Sequence, residues 1–269
     1  MTIVLVGVGV DSENMSPLPQ MLYEDGTFDY IPMPEKSKHP SDTLETKSVG
    51  DFVDRDKHSL NYIYHRRWSD KITEPDAIYD HPVHHDPNFE TLTYGDGSRS
   101  TSWTENLNPE EDDVIAFYTG LPHPDDGKLD RYIIGYMMVA DITFISETMS
   151  KRERENIIAK HPENAHYKRF QGNGELYAFD EKAGPSSKEE IVIVDGEEPG
   201  GLLKEAYQIT QREKIETDSG GQIKHKLKPE FLSEFNVTNK DDESRTIDRK
   251  PFLNLELDGH EFVERITPS

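Results

Sequence analysis

Two apolar runs constrain this chain most. Val114–Tyr118 and Tyr132–Ala140 or beyond are rich in β-branched and aromatic residues, and the turn-rich Leu121–Leu129 lies between them. That pattern predicts a β-hairpin with a long tip. The opening Thr2–Gly9 packs Ile3, Val4, Leu5, Val6 and Val8 together, as a buried central strand does. Glycines at 7 and 9 relieve crowding where that strand exits. Pro17 and Pro19 then keep Asp11–Gln20 out of a helix.

Asp25-Gly26 is a hairpin-type turn signal, and Thr27–Ile31 after it reads as a short strand that Pro32 and Pro34 terminate. Residues 35–110 are polar, rich in His, Asp and Tyr, and weakly periodic; they read as an insertion with one or two short helices. Ser150 and Glu153 form a capping box for a surface helix over 151–160, which His161-Pro162 stops. Shorter strands are expected at Glu175–Phe179 and Glu190–Val194, with helical turns near Leu202–Tyr207 and Pro229–Phe235. The expected fold class is therefore α+β: a mixed sheet with peripheral helices and a long polar insertion. One domain spans 1–236, and an acidic linker and tail occupy 237–269. Within that tail the charge run Asn239–Arg249 is the linker, and Phe252–Ile266 adds an edge strand or stays mobile.

Composition narrows the function. Asp and Glu total 53 against 30 Lys and Arg, a formal charge of −23, which disfavours a broad nucleic-acid-coating surface. Such acidity suits a salt-rich cytoplasm, where screening shortens to about 3 Å at 1 M; the 18 lysines against 12 arginines weigh the other way. There is no cysteine, so thiol chemistry and disulfides drop out, and any metal would need His, Asp or Glu. No apolar run approaches the roughly 20 residues of a membrane helix. Met1–Val10 reads as a strand rather than a signal peptide, so a cytoplasmic protein is expected.

The densest group of potential ligands is Asp80-His81-Pro82-Val83-His84-His85-Asp86-Pro87. Imidazole with carboxylate suits zinc, manganese or iron, yet no familiar metal spacing such as H-E-x-x-H occurs. The same residues serve equally as an acid–base pair, as polar ligand contacts or as loop-ordering groups. A second cluster, His161 to Arg169, places His166, Lys168 and Arg169 where they could meet one phosphate; the alternative is a helix C-terminus decorated with cations. Tyr62, Tyr64, Trp68 and Trp103 could stack on a base, or form the core of the insertion. Gly7-Val8-Gly9-Val10-Asp11-Ser12 lacks the third glycine of a dinucleotide turn, and no helix comes after it. Asp11, Ser12 and Ser16, at the carboxyl end of a strand, offer a carboxylate and hydroxyls to a ligand.

Taken in order, Gly9-Val10-Asp11-Ser12, Ser16-Pro17, Asp25-Gly26-Thr27, Ile31-Pro32-Met33-Pro34, His85-Asp86-Pro87, Asp113 to Gly120 and Ile134-Gly135-Tyr136 resemble the third class of nucleotide modification associated domain. The resemblance covers residues 1 to about 180. Glu13-Asn14-Met15 departs from it where more glycine is expected. It implies a role beside enzymes that modify DNA bases, and it carries over to Asp11, Ser12, Ser16, Asp25, Asp86 and Asp113. The hairpin is also similar to the strand pair of PUA-like β-barrels that read modified bases, which leaves a PUA-like barrel core open as the alternative to a mixed sheet.

The sequence supports three functions. The first is action on, or binding of, a nucleotide or modified base in a DNA-modification or defence pathway. Asp11, His85 and Asp86 would be catalytic there, with Ser12, Ser16, His84, Asp113, Lys168 and Arg169 binding ligand. The second is a non-catalytic reader of a modified base, contacting phosphate through Lys168 and Arg169. The third is an acidic subunit docked on a DNA-modifying enzyme. The sequence leaves enzyme or binder open and names no cofactor and no metal.

Overall fold

The computed structural model describes residues 2–10, 14–35, 43–64, 70–97, 104–105, 107–146, 148–173, 190–217, 220–235, 252–253 and 258–267. In chain order its elements are β1 (Ile3–Gly7), β2 (Met15–Ser16), β3 (Met33–Pro34), β4 (Tyr62–Ile63), α1 (Pro75–Tyr79), β5 (Val83–His84), β6 (Thr93–Gly97), β7 (Val114–Pro122), β8 (Leu129–Ser146), α2 (Lys151–Ile158), α3 (Ala165–Asn173), β9 (Glu190–Gln208), β10 (Thr210–Thr217), β11 (Gly220–Leu227), α4 (Pro229–Glu234), β12 (Phe252–Leu253) and α5 (Gly259–Ile266).

β7 and β8 form the expected hairpin, paired from Val114↔Met138 to Pro122↔Leu129. β1 lies parallel to β7, and the main sheet runs β12-β1-β7-β8-β9-β6. The sheet is mixed and open at both ends, so the fold is α+β and the barrel alternative is set aside. Both faces are buried, which explains the unbroken apolar run of β1. Ile3 and Leu5 pack with Val114, Ala116, Phe231 and Phe262 on one face, while Val4 and Val6 meet Ile115, Phe117, Met137 and Val192 on the other.

Several local expectations give way to tertiary context. Leu202–Tyr207 is strand rather than helical turn: Leu202 pairs with Gly135 and Tyr207 with Ile133, because the long β8 edge outweighs a helix propensity worth only tenths of a kcal/mol per residue. Thr27–Ile31 contributes a single bridge, Leu22↔Phe28, since the turn at Gly26 (φ +85°) leads into two prolines. The C-terminal segment does add an edge strand, with Leu253 opposite Ile3. It also adds α5, which neither alternative for the tail included. Asp258 caps α5 by accepting from the Glu261 N–H (2.6 Å), and Phe262, Val263 and Ile266 are buried, each contributing about 1.5–3 kcal/mol. The expected strand at Glu175–Phe179 and the run Asn239–Arg249 lie outside the described residues.

Among the described residues of 35–110 the expected short helices include α1 and the 3-10 turns Val49–Asp51 and Pro109–Glu111, the last running one residue beyond 110. This stretch has a small core of its own, in which Val49, Leu60, Ile63, Ile78 and Val83 pack with Met15 and Ile31. It also supplies β6, which pairs with β9 at the edge of the main sheet. Met33 pairs with His84 and Pro34 with Val83, which brings Glu35 beside His84. α2 has the capping box read from Ser150 and Glu153, and it ends before His161-Pro162. The cations at 166–169 do not decorate its C-terminus, because residues 165–173 form a separate helix, α3. Among the described residues no helix is long and apolar enough to cross a membrane.

Candidate functional site

An extended segment points alternate side chains to opposite sides. At the end of β5 this sends His84 and Asp86 one way and His85 the other. His85 is buried edge-on against Phe52, and no hydrogen bond or ion pair joins it to Asp86. Burial pushes its pKa down. His84 is the imidazole beside Asp86, with Nε2 3.7 Å from Oδ2.

α3 brings the other half. Asn164 accepts from the His166 N–H (2.9 Å) and donates to Thr93 (3.1 Å), the side-chain capping that fixes a helix start. His166 Nε2 then sits 3.5 Å from Asp86 Oδ2, and its ring meets that of His84 edge-to-face at 5.0 Å. Gly95 of β6 makes the approach possible. A Cβ there would overlap His166 Cδ2, and the Gly95 N–H donates to both Asp86 oxygens (3.0 and 3.1 Å).

Arg169, one turn further along α3, donates through Nε to Glu35 Oε1 (2.7 Å). Its Nη2 lies 2.9 Å from His84 Nδ1, and Glu35 Oε2 lies 3.3 Å from the same nitrogen. A donor and an acceptor thus both face Nδ1, so His84 can carry its proton on either nitrogen. Burial and the Arg169 charge bring His84 down to about 3; it is a neutral imidazole near pH 7. Burial pushes Asp86 above the usual carboxylate range, although His166 and the Gly95 amide pull it back. Burial holds two phenols, Tyr30 and Tyr94, well above their ordinary value, helped by the negative charge of Asp86 at Tyr30 and by those of Asp96 and then Asp86 at Tyr94. Tyr94 donates to Asp96 (3.0 Å). The Tyr30 hydroxyl and His166 Nδ1 are buried with no hydrogen-bond partner. The ligand atoms of His84, Asp86 and His166 all lie within 4.8 Å of one another.

The other residues picked out from sequence sit elsewhere or serve other bonds. Asp11 and Ser12 lie outside the described residues, as do Trp68 and Trp103. Ser16 is in the β2–β4 ladder opposite Tyr62. Asp25 closes its own turn, accepting from the Thr27 N–H and hydroxyl (3.0 and 2.6 Å). Asp113 accepts from the Thr2 and Asn108 amides, tying down the entry to β7. Lys168 pairs with Glu45 (3.2 Å) and Glu163 (3.5 Å). Sequence reasoning missed Glu35, Tyr30, Gly95 and Asp96 as parts of this group. Two signals were present: the His-x-Asp alternation at 84–86, and an acid, Glu35, closing the apolar run Ile31-Pro32-Met33-Pro34.

The fold and this group define a class: an open-sheet α+β domain with a buried His/Asp/Arg cluster at one sheet edge. The sequence matches the family model described as nucleotide modification associated domain 3 over residues 2–265, and the chain belongs to that family. The match runs well past residue 180 and takes in β9 and α5. No curated protein and no solved structure matches the chain.

Proposed function

We propose that this protein acts on a nucleotide or modified base in a cytoplasmic DNA-modification pathway, with the pocket around Asp86 as its reaction centre. The family supports the pathway. The observation that carries the site is a buried carboxylate flanked by two imidazoles, with a phenol and a ring nitrogen left without protein partners. Buried polar atoms normally find partners, so unpaired ones grouped round an ionisable centre suit a ligand's hydrogen-bonding edge. His84 and Asp86 are placed for proton transfer, because His84 can hold its proton on either nitrogen. A base-reading role through Lys168 and Arg169 fits less well, since both cations already pair with carboxylates. The acidic surface suits docking on a basic DNA-modifying enzyme, which would deliver the substrate.

The test is incubation of purified protein, alone and with its neighbouring gene products, with nucleotides and modified DNA, read by mass spectrometry beside Asp86→Asn. A product formed by the wild type and lost in the variant is expected. Absence of product with every substrate, and a partner enzyme fully active without this protein, would overturn it.

A further inference from the structure

We propose that His84, Asp86 and His166 form a binding site for one divalent transition-metal ion. The site deepens the reading of the pocket, but the geometry argues for it on its own. Asp86 Oδ2 lies 3.7 Å from His84 Nε2 and 3.5 Å from His166 Nε2. Ligands about 2.0–2.2 Å from a common ion in tetrahedral geometry stand about 3.3–3.6 Å apart, so both separations to Asp86 are near those of a metal site, and the two imidazoles, within 4.8 Å of each other, would close on the ion by small side-chain rotations. Two imidazoles and one carboxylate, with no thiol in the chain, are the donor set of borderline ions such as zinc, iron(II) or manganese. Three protein ligands leave further positions open for water or substrate.

The surroundings supply what such sites need. A ligating histidine usually donates its other ring N–H to a carboxylate, and Glu35 Oε2 stands 3.3 Å from His84 Nδ1. The bond from Arg169 to Nδ1 would give way to that one when Nε2 turns its lone pair to the ion. Gly95 holds the Asp86 carboxylate and clears space for the His166 ring. His166 Nδ1, in a residue only 4% exposed, has no protein partner. The Arg169 guanidinium is bound to Glu35, and the negative charge of Asp96 acts on Asp86; a cation held at Asp86 would offset that repulsion.

Chelator-treated full-length protein is titrated with zinc by calorimetry, and cobalt(II) is added separately to read ligand number from its visible spectrum. One equivalent per chain is expected, surviving 0.5 M salt, with a cobalt spectrum of four- or five-coordinate type. His84→Ala, Asp86→Ala and His166→Ala should each weaken binding at least about tenfold, while His85→Gln should leave it unchanged. Should an alanine variant unfold, Gly95→Ala serves, checked by circular dichroism: it displaces His166 and should also weaken binding. Zinc uptake that is unaltered in folded Asp86→Ala or Gly95→Ala, or that salt abolishes, would place the ion on the acidic surface and overturn the site. Nucleotide turnover by metal-free protein would overturn a catalytic role for the ion and leave the pocket's function standing.

Discussion

Two buried groups among the described residues are built from the same residue types, and they differ in how charge is distributed. Around Asp86 the guanidinium is bound to Glu35, so the carboxylate faces two imidazoles and a backbone N–H. Around Asp130, at the start of β8, the carboxylate itself faces a guanidinium and an imidazole: Arg212 Nε of β10 at 3.4 Å and His225 Nδ1 of β11 at 3.7 Å. Unpaired atoms do not separate the two, because Arg131 Nε and the Tyr132 hydroxyl near Asp130 also lack partners. Charge does. A carboxylate opposite a guanidinium has its charge cancelled within the protein, and here it pins the β10–β11 ribbon to the hairpin. Asp86 keeps electron pairs to offer a proton or an ion.

The largest expected effect comes from breaking the closed pair. Arg169→Met removes the guanidinium from Glu35, only 1% exposed, and should cost about 3–5 kcal/mol in urea unfolding. Arg212→Met also strips a buried carboxylate, Asp130, but the Arg212 side chain is 22% exposed and His225 stays beside the acid, so the loss should be smaller, about 1–3 kcal/mol. Equal losses would remove the distinction. Gly95→Ala should cost about 1–3 kcal/mol by overpacking against His166, with the Asp130 group untouched.

The smallest effect is a pH dependence. Burial raises the folded-state pKa of Asp130 above its ordinary 3.8, against the pull of Arg212 and His225. Just above 3.8 the folded chain keeps a proton that the unfolded chain has released. This contribution to stability is therefore present at low pH and is lost as pH rises through the folded value. Asp130→Asn should abolish that decline, changing the slope by at most about 1.4 kcal/mol per pH unit. A steeper decline in the variant would mean that Asp130 is held ionised.

The hairpin and the capped helix were legible because their signals are local: alternation, turn residues, and Ser150 three residues before Glu153. The pocket was only half legible. His84, Asp86 and Arg169 stood out by type, but His85 and Asp86 were paired because they are neighbours in sequence, where strand alternation pairs His84 with Asp86. Glu35 and Gly95 went unread because their meaning comes from a partner far along the chain, 134 residues away for Glu35 and Arg169. The Leu202–Tyr207 strand was missed for a similar reason, since only the β8 edge makes it one.

The group around Asp86 is assembled from four separate stretches: the end of β3, the end of β5, β6 and the start of α3. An unfolded chain has nothing resembling it. The ligand proposed for it would therefore bind the native state alone, and by mass action a compound present at 100 times its Kd adds about 2.7 kcal/mol to stability. That linkage turns melting temperature into a substrate screen. Libraries of nucleotides, bases and ions can be ranked by the Tm they confer before any reaction is known, with Asp86→Asn as the reference that should fail to respond.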